Sequence, residues 1–135
     1  MSAASNYLEN KVLDHVLTAT SYTAPSTRYL ALFTNTSGNA AANLEAGTLT
    51  DEVSGGSYAR KTVTFAAASG GSSATNATVT FDAATANWGT ITHVAVMDAA
   101  TSGNVLFWGA VTTSKTIETG DTFQVTSGNL TISLA

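Results

Sequence analysis

The residues of this chain that could do chemistry are few and scattered. There are two histidines, His15 and His93, and no cysteine. Nucleophilic catalysis needs a base held against a nucleophile, with a third group orienting the base. His15 falls at the polar edge of a helical pattern beside Val16, and His93 sits in a strand pattern between Thr92 and Val94. Serine is abundant, but none stands in a G-x-S-x-G elbow. Both histidines therefore read as structural, and no catalytic residue is assigned.

Metal chemistry finds as little. No H-x-H, H-x3-H or paired-cysteine spacing is present, so a closed zinc site has no ligands. Calcium would need several convergent oxygens. Glu118 and Asp121 flank one turn and Asp98 opens another near Asn104, where acids usually bond to their own backbone. The nine acids sit mostly at turns, in one loop or on the helix, and no spacing selects the facing pair that glycoside hydrolysis requires. Gly55-Gly56 and Gly70-Gly71 are followed by neither Lys-Ser/Thr nor a helical pattern, so no phosphate cradle forms. The sequence thus predicts neither an enzyme nor a cofactor or metal protein.

Binding chemistry is more open. Trp88, Trp108, Tyr7, Tyr22, Tyr29 and Tyr58 could stack sugars or bases, although aromatics at strand centres more often fill a core. Trp88 and Tyr58 stand where polar loops enter strands and are the expected exceptions. Arg60-Lys61 is the adjacent basic pair, but on a strand its side chains point to opposite faces and make no patch. Net charge is −4 with five basic residues, which argues against nucleic acid.

These residues must be held by a small scaffold. At 135 residues the chain suits a single domain, 1–135, able to bury roughly two-thirds of its unfolded surface without a disulfide. No run approaches the roughly 20 apolar residues of a membrane span. The opening MSAASNYLENK lacks the basic and apolar regions of a secretory signal, so synthesis is expected in the cytoplasm, with lysis as the route out. Charged residues are only 10% of the chain, against about 25% in typical domains. Short hydroxyl side chains take their place, and these lose little entropy when a partner covers them.

Leu8, Val12, Leu13, Val16 and Leu17 fall on one stripe of a 3.6-residue period. They predict an amphipathic helix over about 6–18, capped by Asn6 with Glu9 completing a capping box. Such a helix is marginal alone and must dock, either closing its own domain or packing on a neighbouring subunit. Beyond Pro25 the period becomes two. Strands are predicted over 29–34, 58–65, 77–81, 91–97, 105–112, 114–117, 122–125 and 130–134, punctuated by glycine and asparagine turns. Segments 93–97 and 105–108 are apolar on both faces, as central or doubly covered strands are. The fold class is mainly β: an antiparallel β-sandwich, jelly-roll-like, of about seven or eight strands. Two segments break the pattern. Residues 35–57 read as a long loop, with Leu44 and Leu49 as anchors for a partner, and 66–73 read as a flexible connection.

Several passages together resemble a known group. NYLENKVLDHVL and YTAPSTRYLALFT near the start, EVSGGSYARKTVTF in the middle, and WGTITHVAVMDAATSGNVLFWGAVTTSKTIETGDTFQVTSGNLTISL at the end are similar to tailed-bacteriophage structural proteins, labelled tail-fibre-like or related to capsid decoration (cement) proteins. The resemblance implies a non-catalytic virion part. Its first implication is a decoration protein on the capsid exterior that binds the assembled major capsid protein and itself, as a homodimer or homotrimer, and stabilises the shell by mass action. The alternative is a tail-fibre or baseplate component engaged in host attachment. The interface residues expected are Tyr7 and Leu8 on the helix, Leu44, Leu49 and Val53 in the loop, and Tyr58 and Trp88 at strand entries, with no nucleic acid or membrane as partner.

Overall fold

A computed structural model describes residues 3–134. In chain order the elements are β1 (Ala3–Ala4), α1 (Asn6–Leu17), β2 (Tyr29–Phe33), α2 (Ala40–Ala46), β3 (Lys61–Thr62), β4 (Ser72–Ala74), β5 (Val79–Thr80), β6 (Gly89–Met97), β7 (Val105–Ile117), β8 (Gln124–Val125) and β9 (Thr131–Ser133). The fold is mainly β and antiparallel, as the period-two patterning requires.

The main sheet has the order β1-β7-β6-β2-β3. Its centre is β6, paired with β2 from Tyr29↔Met97 to Phe33↔His93 and with β7 along its whole length. Side-chain alternation then splits the sheet into two buried faces. Leu30, Leu32, Val94 and Val96 point to one face, while Ala31, Phe33, Ala95 and Met97 point to the other. This is why 93–97 and 105–108 read as apolar on both sides. The first face is covered by two short ladders, β4–β9 and β5–β8, which bring Val79, Phe81 and Phe123 onto it. The second face is covered by α2, whose Leu44 packs with Phe33, Met97 and Val105.

Five expectations are corrected here. Residues 35–57 are not a structureless loop: α2 forms within them, ended by Gly47 in the left-handed conformation at φ 80°. Leu44 and Val53 are 1% and 6% exposed, so both belong to the core. The segment read as a flexible connection, 66–73, runs into β4, whose Ser72 and Ser73 are held by backbone pairing with β9 rather than by apolar side chains. The predicted breaks between 105–112 and 114–117 are absent, because β7 runs on through a wide irregularity opposite Thr92. Finally, α1 is capped by Ser5 and not by Asn6. Ser5 is fully buried: its hydroxyl accepts from Leu8 N at 3.3 Å and donates to the Val105 carbonyl, while its amide donates to Leu106 O at 2.9 Å.

Candidate functional site

Each expected interface residue has a definite place. Leu8, Leu44, Val53 and Trp88 lie in the chain's own core, and Tyr7, Leu49 and Tyr58 are half-buried against it. Trp88 is 6% exposed because its indole Nε1 donates to Gly56 O at 2.9 Å and its ring meets Tyr58 edge-on, centroids 5.5 Å apart. A tryptophan at a strand entry looks accessible in sequence, yet the positive-φ Gly55-Gly56 turn folds over it.

The polar groups near that turn serve the scaffold. Arg60 donates through Nε and Nη2 to the two carboxylate oxygens of Glu52, each at 2.7 Å. Its Nη1 reaches the carbonyls of Ala99 and Ser102 at 2.7 and 2.8 Å. Burial works against the Arg60 charge, but hydrogen bonding to Glu52 and its attraction outweigh this and hold the guanidinium above its ordinary value. Tyr58 donates to Glu52 Oε2 at 2.8 Å and accepts from Leu32 N at 3.0 Å. Burial, reinforced by the nearby Glu52 charge, pushes its phenol strongly up.

The titratable residues singled out in the sequence are not brought together. His93 lies against Trp108, centroids 6.2 Å apart, with Thr92 Oγ1 2.8 Å from its Nδ1, and burial lowers its pKa. His15 is on α1, where its Nδ1 accepts from Tyr22 N at 3.1 Å. Turn acids bond to their own backbone as expected: Asp121 accepts from Glu118 N at 2.9 Å, and Asp98 from Asn104 N at 2.7 Å. Among the described residues no group of three or more His, Asp or Glu side chains could hold a metal.

What the chain does offer is a surface. Ser5 and Leu8 fasten the first turn of α1 to the β1–β7 edge, but from Glu9 to Ser21 every residue is exposed. The apolar stripe, which the sequence lets either close the domain or pack on a neighbouring subunit, points largely to solvent: Val12 is 39% exposed, Leu13 54%, Val16 70% and Leu17 73%. Monomeric proteins rarely leave so continuous an apolar strip uncovered. The helix is nonetheless ordered at its C-terminus, where Thr18 caps the Asp14 carbonyl at 2.7 Å and the His15–Tyr22 bond folds the following segment back. Among the described residues no helix is long and apolar enough to cross a membrane.

Comparison with known proteins agrees with the phage resemblance. No curated protein matches the chain significantly. The family model described as podophage GP4 fiber I protein gp80 matches residues 3–133, nearly the whole described span, and the chain therefore belongs to this family of tailed-phage structural proteins.

Proposed function

We propose that the chain is a non-enzymatic, fibre-associated subunit of a podophage tail, which works by docking onto other virion proteins. The observation that carries this reading is the exposed apolar face of α1, an element anchored at one end and built to be covered. The description of the matched family as a fibre protein supports the tail over the shell. The polar groups of the fold support a structural role, since the buried Arg60 and Asp51 and the half-buried Glu52 are all engaged in holding loops together.

The second reading, capsid decoration bound to the major capsid protein, draws on the same compact, hydroxyl-rich scaffold. The two differ in location, so labelling decides between them. Antibody raised against the purified protein should decorate the tail of intact virions in immunogold electron microscopy. Gold distributed over the icosahedral shell would reject the tail assignment in favour of decoration.

A further inference from the structure

Two surface features have no counterpart within one copy of the chain. One is the outer face of α1. The other is a groove between the main sheet and the short ladders, made of two adjoining depressions of about 320 Å³ each. The depressions meet at Val96, Phe107 and Ile132, which line both. One continues past Val125 and Leu130 to Lys115, and the other past Phe65 and Leu134 to Arg28. Much of this lining is half-buried apolar surface that the core does not fully cover.

The charges are distributed unevenly. The chain carries −4 overall, yet the charged side chains lining the groove are Arg28 and Lys115 alone. Neither forms an ion pair among the described residues, where Arg60 pairs with Glu52 and Lys61 with Asp82. The helix presents the complement. Glu9 stands one turn before Leu13 on the same face, and Asp14 flanks it. Neither carboxylate has an ion-pair partner among the described residues. The cationic group of α1 is occupied elsewhere: Lys11 lies over the Tyr7 ring at 5.7 Å.

We infer that α1 of one copy seats its Leu13, Val16 and Leu17 face in the Phe107–Ile132 groove of a second copy, with Glu9 and Asp14 directed at Arg28 and Lys115. A helix laid in an apolar groove is a common recognition mode, read through anchors at i, i+3 and i+4. Here Leu13, Val16 and Leu17 have that spacing. Pairing two α1 helices with each other would leave the groove and both its cations uncovered. The helix–groove contact joins different surfaces, so each association leaves one helix and one groove free. Such head-to-tail contacts generate rings where the rotation closes and filaments where it does not. The inference rests on the reading of the chain as a packing subunit, but it is tested on the purified protein.

The test uses two variants: Leu17→Glu on the helix, and Leu134→Glu with Arg28→Glu in the groove, where Leu17 and Leu134 are more than half exposed and Arg28 is half-buried. Leu17 and Leu134 are 73% and 61% exposed. Light scattering after size exclusion, from about 10 to about 300 µM, should give wild type a mass above the 13.7 kDa of one chain. Each variant alone should remain a monomer. An equimolar mixture should recover a two-chain complex, because one intact helix then meets one intact groove. Wild type that stays monomeric throughout overturns the inference, as does a mixture that forms no complex. A groove variant that associates like wild type would show helix–helix pairing instead. If thermal melts reveal a damaged groove variant, Lys115→Glu rescued by Asp14→Lys replaces it, and absence of rescue counts against the contact. None of these outcomes bears on tail location, which is read on virions.

Discussion

Arg60 and Glu52 meet through two parallel hydrogen bonds of 2.7 Å each, with their side chains 3% and 16% exposed. The pair joins the end of the segment after α2 to the entry of β3, and through Ala99 and Ser102 to the β6–β7 turn. Removing one partner strands the other's charge in a poorly hydrated place. Arg60→Ala is therefore expected to cost about 3–5 kcal/mol, read as a fall in the urea midpoint. Replacing both residues together, Arg60→Met with Glu52→Leu, should cost clearly less than the sum of the single changes.

Asp51 gives the fold a pH dependence of known sign. Its carboxylate accepts from Ser37 N at 3.0 Å, Ser37 Oγ at 2.5 Å and Thr36 Oγ1 at 3.1 Å. The Ser37 hydroxyl bond, against the opposing effect of burial, holds its pKa below the ordinary 3.8. A lowered folded pKa means that the unfolded chain binds the proton more readily. The stabilisation is therefore complete above the ordinary value and lost as pH falls through the folded one. Asp51→Asn should destabilise by about 1–3 kcal/mol at pH 7, with a smaller gap near pH 3. Equal gaps at the two pH values would contradict the assignment.

Leu44 and Leu17 are both leucines on helices, and they should behave in opposite ways. Leu44 is 1% exposed beneath α2 and Leu17 is 73% exposed. Leu44→Ala leaves a cavity against Phe33 and Met97 and is expected to cost about 2–5 kcal/mol. Leu17→Ala should stay within about 0.5 kcal/mol of wild type, while reducing incorporation into virions in a complementation assay. A large loss of stability from Leu17→Ala would show that α1 packs on its own domain.

How much of this was legible in the sequence depends on what holds each element. α1, β2, β6 and β7 owe their form to apolar periodicity, and periodicity can be read. α2 could not be read that way, since its seven residues carry two buried side chains, Ala40 and Leu44, and Asn39 makes no side-chain cap. The available signal was Gly47 directly after a short run of helix formers. β4 was hidden because Ser72 and Ser73 contribute backbone pairing rather than side-chain burial. The apolar stripe of α1 was visible, but periodicity states only that a face is apolar. Whether that face turns inward was set by Ser5, which fixes the helix to β7 from its first turn alone. Trp88 was misjudged for a related reason, because the cover over it comes from glycines with no side chain to betray them.

The way α1 is tied to the body has a mechanical consequence. Its N-terminal end joins β7 through β1 and the Ser5 bonds, and its C-terminal end continues through the Tyr22 segment into β2. In the sheet these two strands flank β6. A pull on the exposed helix is thus split between two moorings on either side of the central strand. Peeling would have to undo the short β1 ladder first, and the covalent path into β2 would still bear tension. An element anchored in this manner can transmit force between neighbours without the sheet being unzipped from one edge.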